Sequence, residues 1–494
     1  MIQPAKTSKW KAKGPWQAGV TKPLLIGLMV CLGAGGAWVA VRGTGGPKHH
    51  VVLVIIDTLR QDSLSCYGNA RPTSPHIDAL AKDGVRFDQA VSSSGWTLPA
   101  ISSILTGAWP TIHGALGKKT RLTPIRDELP TGAEILKEEG FATTAFANAA
   151  FVSPWLKLDR GFDSFDHMPA FNYEIRRADE TIKAALGKLK GQLDRSTFTL
   201  IHLFDAHLNY DPPKDYGGKF TDREVPSPYG LTMQQCKYWT VGGVKPEDPS
   251  TPVPAPSEED IDYMRAVYDA EINFVDDQIG RLVAELKRMG IYDRTTIVIT
   301  SDHGEEFWEH DGFEHGHTLY EELVRVPLIV KFPAEVGVRG KVIDAQVSTL
   351  TIMPTVFELV GVEQPDSFVG RSVLPLSKGE SKEDHFAFSE GTLYGADKIA
   401  WREPPYKFIF DLSPEAEVKA ELYNLDNDPG EQTNLVDSER ETAMRLRKAL
   451  FDFYGELRDR AERMSKPLAQ DLSPAAVREA FHQLRDLGYT GEDR

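Results

Sequence analysis

Two periods govern the apolar positions of this chain. Val51-Val52-Leu53-Val54-Ile55-Ile56 and Thr296-Ile297-Val298-Ile299-Thr300 are short, continuous β-branched runs. Such runs predict strands buried on both faces, as in a parallel sheet. Between them, Tyr268, Ile272, Val275, Ile279, Leu282 and Leu286 recur at steps of four and three. This stripe predicts a helix lying on the sheet, closed by Gly290 as its C-terminal cap. Buried strands alternating with covering helices predict a layered α/β domain. Thr351 to Gly361 reads as a further helix, with Thr351 at the N-cap and Gly361 just past the end. From about residue 376 the pattern changes. Phe386-Ala387-Phe388, Lys398-Ile399-Ala400-Trp401, Tyr406-Lys407-Phe408-Ile409-Phe410 and Leu422-Tyr423-Asn424-Leu425 predict short strands. A turn at Asn427-Asp428-Pro429-Gly430 and a charged helix from about Glu439 to Arg463 follow.

Ligands of open α/β sheets gather at the carboxyl ends of the strands. Asp57 follows the first buried run directly, and Asp302-His303 follow the second. Two separate strands therefore deliver polar groups to equivalent ends of one sheet.

Composition narrows the function. The chain has 494 residues, 41% hydrophobic and 26% charged, enough for a large core and a second unit. A formal net charge of −16 excludes a nucleic-acid partner, whose phosphates need a basic surface. It leaves open a phosphate-ester substrate, because a metal ion can supply local positive charge. The first residues stand apart. Lys6, Lys9, Lys11, Lys13 and Lys22 precede an uncharged stretch from Pro23 to Val41, and no acidic residue occurs before Asp57. This predicts a basic cytoplasmic segment (1–22), a transmembrane signal-anchor (23–42) and a Gly-rich linker (43–49), with the remainder on the periplasmic side of the inner membrane. A cleaved signal peptide is the rival reading. Residues 212–258, rich in Pro, Gly and Ser, read as an insertion loop: a lid over a site or a plain surface insertion. Cys66 and Cys236 could pair, but two unpaired buried thiols is the simpler expectation.

Ser94-Gly95-Trp96-Thr97-Leu98-Pro99-Ala100-Ile101-Ser102-Ser103-Ile104-Leu105-Thr106-Gly107 resembles the nucleophile segment of the sulfatases, Cys/Ser-x-Pro-x-Arg followed by Leu-Thr-Gly. Further segments extend the resemblance: Ile56-Asp57-Thr58-Leu59-Arg60, Thr73-Ser74-Pro75-His76-Ile77-Asp78, His202-Leu203-Phe204-Asp205-Ala206-His207, and Thr300-Ser301-Asp302-His303-Gly304-Glu305 running on to His315-Gly316-His317-Thr318-Leu319-Tyr320. It spans Val51 to Leu435, in the order and spacing of the sulfatase branch of the alkaline phosphatase superfamily.

The resemblance implies a layered α/β/α alkaline-phosphatase-like domain over 50–375, with a mixed, mostly parallel sheet. A small C-terminal antiparallel sheet-and-helix subdomain over 376–465 and a tail over 466–494 would follow. Thr97 occupies the place of the residue that sulfatases oxidise to formylglycine. Threonine does not give that aldehyde, and Ile101 stands where the Arg would be. The resemblance thus implies no formylglycine, with the Thr97 hydroxyl as nucleophile, as in related phosphotransferases. Pro99 would start the following helix, with Leu98 as its cap and Thr97 just outside. Asp57, Asp302, His303 and Thr97 would hold one divalent ion, Mn²⁺, Zn²⁺ or Mg²⁺ rather than Ca²⁺, since Thr58 replaces a customary second Asp. His207 would bind the anion, His315 and Asn148 would assist, and His317 would donate a proton to the leaving oxygen. His202 reads as structural. Three readings stay open: a hydrolase or transferase acting on phosphate or sulfate esters of small molecules or the cell envelope, a sulfatase proper, and an inactive binding protein of the same fold.

Overall fold

The protein is described by a computed structural model over residues 48–118, 121–168, 175–223, 256–381, 386–414, 416 and 418–464. The expected anchor, the basic segment before it, Cys236, most of the insertion and the tail lie outside these residues. Among the described residues, no helix is long and apolar enough to cross a membrane.

Eight strands form the central sheet: β1 (His50–Ile56), β2 (Val85–Val91), β3 (Ala142–Ala147), β4 (Ser164–His167), β5 (Thr197–Leu203), β6 (Thr295–Thr300), β7 (Leu328–Lys331) and β8 (Lys341–Ser348). Their order is β8-β2-β7-β6-β1-β5-β3-β4. β1 lies at the centre, parallel to β5 and β6. β7 runs against both its neighbours. The sheet is therefore mixed and mostly parallel, as the β-branched runs predict.

Among the described residues the longer helices that cover it are α1 (Pro75–Asp83), α2 (Thr97–Thr106), α3 (Gly132–Glu138), α4 (Ala178–Lys190), α5 (Glu258–Arg288) and α6 (Ile352–Val360). The two-residue period of β1 sorts its side chains between them. Val51, Leu53 and Ile55 join the core formed with α2, α3 and α6. Val52, Val54 and Ile56 join the opposite core, with α1, α4 and the stripe of α5. Each such side chain gains about 1.5–3 kcal/mol by leaving water. That gain on both faces is why β1 carries no polar side chain between His50 and Asp57.

Helix α5 starts well before the predicted stripe. A capping box opens it: Ser257 Oγ accepts the Asp260 N–H at 3.2 Å, and Asp260 Oδ2 accepts the Ser257 N–H at 3.1 Å. Gly290 follows its end with φ +68°, as expected of a glycine past a helix terminus. Thr351 does not cap α6 with its side chain. A 3₁₀ turn precedes the helix, Ser348 Oγ accepts from Leu350, and Thr351 Oγ1 donates back to the Ser348 carbonyl at 2.7 Å. Within the described part of the insertion, Lys214–Gly217 forms one helical turn. Cys66 is half-buried rather than buried.

The C-terminal sheet consists of β9 (Ala387–Glu390), β10 (Lys398–Glu403), β11 (Tyr406–Asp411) and β12 (Ala420–Asn424), antiparallel in sequence order. Helix α7 (Arg440–Arg463) lays Leu446, Leu450 and Leu457 on Phe388, Trp401, Phe408 and Leu422, against Trp109 and Ile112 of the main domain. A buried ion cluster fixes the junction. Arg402 of β10 grips Glu321 through Nε and Nη2 at 3.1 and 3.0 Å, and Lys407 Nζ lies 3.1 Å from Glu321 and 2.9 Å from Glu431. Burial pushes the Glu321 carboxyl upward, but Arg402 and Lys407 outweigh it and hold it well below the ordinary range. Its contribution to stability is present above the ordinary glutamate pKa of about 4.3 and is lost as pH falls through the lowered value. Glu321→Gln leaves two buried cations short of a carboxylate and is expected to cost about 3–5 kcal/mol. Urea unfolding at neutral pH checks this, and a cost under about 1 kcal/mol would show that the cluster does not hold the junction.

Candidate active site

The carboxyl ends of β1, β2, β5 and β6 meet at one point. Asp57 follows β1, and Asp302 and His303 follow β6, all fully buried. Ser301 laces these ends together: its Oγ accepts the Leu59 N–H at 3.0 Å and lies 2.6 Å from the Ile56 carbonyl. Gly304 is required next to His303, because a Cβ there would stand 2.0 Å from the Glu322 carbonyl.

Thr97 arrives from the end of β2. Trp96 is extended (φ −158°, ψ 161°) and takes the N-cap position, so Thr97 is the first residue of α2. The expectation that Leu98 caps this helix is corrected: Pro99 sits third, where a missing N–H is harmless because first-turn amides lack intrahelical acceptors. Those free amides and the helix dipole favour an anion at this end. Thr97 is buried, and its Oγ1 lies 3.2 Å from His303 Nε2.

Three observations bear on a cation here. First, His303 Nδ1 is 2.9 Å from the Gly304 carbonyl, which can only accept. Nδ1 therefore carries the hydrogen, and the neutral ring offers an Nε2 lone pair. Second, that Nε2 stands 3.6 Å from Asp57 Oδ1 and 3.4 Å from Asp302 Oδ2. Third, both Asp57 oxygens and Asp302 Oδ2 are buried without a hydrogen bond. His202 Nε2, 3.1 Å from Asp57 Oδ2, is poorly aligned for one. Burial, then the neighbouring Asp57 charge, push Asp302 up to about 6. Burial also works against the Asp57 charge, but His202, His207 and His303 hold that carboxyl below its ordinary range. Unbonded acid oxygens, a bare imidazole nitrogen and a hydroxyl fit a divalent cation with mixed O/N ligands. Thr58 is no ligand: its Oγ1 donates to the Ala206 carbonyl at 2.8 Å.

The remaining predicted residues separate. His207 Nδ1 is held by the Leu208 carbonyl at 2.6 Å, and its ring stacks on Phe204. Burial lowers His207 to about 4, against the pull of Asp57. The His315 ring lies 4.4 Å from that of His303 and 4.9 Å from that of His207. Burial, then His303 and His207, hold its pKa well below the ordinary value. His317 Nε2 pairs with Glu306 Oε2 at 2.7 Å. Glu306 gathers with His310 and Glu322 in a second group, apart from the Asp57 cluster. Asn148 is committed to the protein. Its Nδ2 donates to the His202 carbonyl at 2.6 Å and to Thr181 Oγ1 at 3.1 Å, and its Oδ1 accepts from Arg176 at 2.8 Å. These bonds tie it to β5 and α4.

Sequence reasoning gave His202, which contacts Asp57, no role beyond a structural one, and none to Glu305, which binds His315 Nδ1 at 2.8 Å. The available signal was charge out of place: His202 is the ionisable side chain of a fully buried strand.

Comparison with known proteins agrees with this architecture. Residues 49–362 match the sulfatase family, and residues 308–454 match the family described as N-sulphoglucosamine sulphohydrolase, C-terminal. The chain is 24% identical to an uncharacterized sulfatase, YidJ, of Escherichia coli, over 83% of this chain and 88% of the relative. It is also 24% identical to an arylsulfatase of Clostridium perfringens, over 82% and 94%. Among solved structures, the phosphonate monoester hydrolase of Agrobacterium radiobacter superposes with a TM-score of 0.68 at 21% identity, covering 84% of this chain and 96% of that one. With these matches and the shared fold, the chain belongs to the sulfatase family.

Proposed function

We propose that this protein cleaves sulfate or phosphate esters with Thr97 as its nucleophile and without formylglycine. The observation that carries the reading is the Thr97 hydroxyl 3.2 Å from His303 Nε2, beside unbonded oxygens of Asp57 and Asp302. Asp57, Asp302, His303 and Thr97 would hold a divalent cation. Such an ion supplies Lewis-acid chemistry, acidifying a bound hydroxyl and offsetting charge on ester oxygens. The α2 N-terminus and His207 position the anion. Thr97 Oγ1, its proton lost to solvent, bonds to phosphorus or sulfur as the bond to the leaving oxygen breaks. His317, its Nε2 paired with Glu306, protonates the leaving oxygen, and His315, beside His303 and His207, assists. Water or an alcohol then takes the group from Thr97, giving hydrolysis or transfer. The related arylsulfatase and phosphonate monoester hydrolase bracket the ester classes to test. Purified protein with Mn²⁺ is offered aryl sulfate, phosphomonoester and phosphodiester beside Thr97→Ala. Equal turnover by the two proteins would remove Thr97 from the chemistry.

The five lysines before the uncharged stretch support a membrane anchor that would hold the domain outside the cytoplasmic membrane, near cell-envelope esters. The full-length chain should resist a high-salt wash of membranes and dissolve with detergent. Release by salt alone would contradict the anchor.

A further inference from the structure

The geometry points to Arg60 and Tyr268 as positioning residues: together they hold the Asp57 turn against the segment carrying Asp302 and His303, and so set the affinity for a cation that neither touches. The inference rests on the ligand set of the reading above, and on none of its chemistry at Thr97. Strand pairing between β1 and β6 ends at Ile55 and Thr300. Ser301 then ties the two segments at Ile56 and Leu59. The turn itself needs more. Thr58 follows Asp57 with φ +56°, a left-handed conformation that β-branched residues avoid. Such a backbone persists only where its surroundings hold it. Thr58 Oγ1 donates to the Ala206 carbonyl, and the buried Tyr268 phenol closes the turn from both sides. The phenol oxygen accepts the Arg60 N–H at 2.9 Å, and its proton goes to the Thr58 carbonyl at 2.7 Å.

The Arg60 side chain carries this tie across to the other segment. Its stem runs beside Gly304, where a Cβ would stand 3.3 Å from Arg60 Cγ. Its guanidinium engages all three nitrogens. Nε and Nη2 fork onto Asp62 at 2.9 and 2.7 Å, within the Asp57 loop. Nη1 reaches the Glu305 carbonyl at 2.9 Å and Glu309 Oε1 at 2.5 Å, beyond His303. Arg265 of α5 holds the same Glu309 oxygen at 2.6 Å, and both guanidinium groups lie 5.8 Å from the Phe307 ring centroid. The buried guanidinium is thus a strut of fixed length between the two ligand-bearing segments. Lysine offers only a point charge on a flexible stem and cannot fork in this way. Both Asp57 oxygens and Asp302 Oδ2 lack a hydrogen bond of their own. No side-chain partner therefore sets their separation. The backbone does, and Arg60 and Tyr268 set the backbone.

The test measures Mn²⁺ binding itself. Full-length wild type, Arg60→Lys and Tyr268→Phe are stripped with a chelator and titrated with Mn²⁺, and the free ion is read by electron paramagnetic resonance. Each variant is expected to raise the Kd by about 10–100-fold, the range typical of residues that orient metal ligands. At saturating Mn²⁺ each should regain most of the wild-type turnover, because no ligand and no nucleophile has been removed. A merely structural role would lower the urea midpoint of the metal-free protein and leave the Kd of the folded protein alone. An unchanged Kd in either folded variant therefore overturns the inference, whatever happens to stability, as does a wild type that binds no Mn²⁺. Should Arg60→Lys fail to fold, Tyr268→Phe decides, since it keeps the ring that packs edge-on against Tyr210 and Phe307. Thr97→Ala separates this inference from the reading beneath it. Weakened Mn²⁺ binding in the two variants beside a fully active Thr97→Ala removes the nucleophile and leaves the strut standing. An unchanged Kd beside an inactive Thr97→Ala does the reverse.

Discussion

Thr97→Ala is expected to lose turnover on the order of 10³-fold or more, with folding little changed. The reasoning is local. Thr97 is the first residue of α2, and its side chain caps nothing, since the N-cap position belongs to Trp96. Removing the hydroxyl therefore costs little structure. What disappears is the one oxygen set both 3.2 Å from His303 Nε2 and at the amide-rich end of a helix. Thr97→Ser restores a hydroxyl on the same backbone and should recover a substantial part of the rate. Loss without recovery by serine would point to a packing role for the threonine methyl. Steady-state kinetics of the three proteins on one aryl ester distinguish these outcomes.

Asp302→Asn should deplete the bound cation and lower turnover by at least about 10²-fold. Outer-shell partners of metal sites typically cost 10–100-fold, and a direct ligand should cost no less. The substitution keeps the shape of the side chain but removes a charge that burial and Asp57 already disfavour. Such a charge persists best with a cation beside it. Elemental analysis of purified wild type should find close to one divalent ion per chain, and of the variant markedly less. A chelator should silence wild type, and Mn²⁺, Zn²⁺ or Mg²⁺ should restore it. Full activity after complete metal removal would contradict the ligand assignment.

The fold was legible where burial was continuous. The β-branched runs at Val51 and Thr296 named the central strand β1 and its neighbour β6, and the helical stripe from Tyr268 to Leu286 named the buried face of α5. Helix starts were less legible, because caps compete. Ser257 opened α5 from within a Pro- and Ser-rich stretch, and Thr351 takes the N-cap position of α6 while the side-chain cap falls to Ser348, one 3₁₀ turn earlier. Asp57, Asp302 and His303 could be read because strand ends converge. The roles of His315 and His317 could not be separated by a motif that carries both. Their difference lies in long-range partners, Glu305 for one and Glu306 for the other, and in the turn between Phe307 and Phe313 that aims them. The surroundings of His202 and Asn148 were illegible for a related reason. A lone buried polar side chain takes its meaning from what stands across the sheet, and sequence does not show that neighbour.

The most direct measurement is peptide mass spectrometry of protein quenched in acid during turnover of a slow phosphate or sulfate ester. A phosphoryl or sulfuryl group on the peptide containing Thr97, absent from Thr97→Ala, is the predicted result. The same group found on another residue, or sustained turnover with Thr97 never modified, would contradict the account.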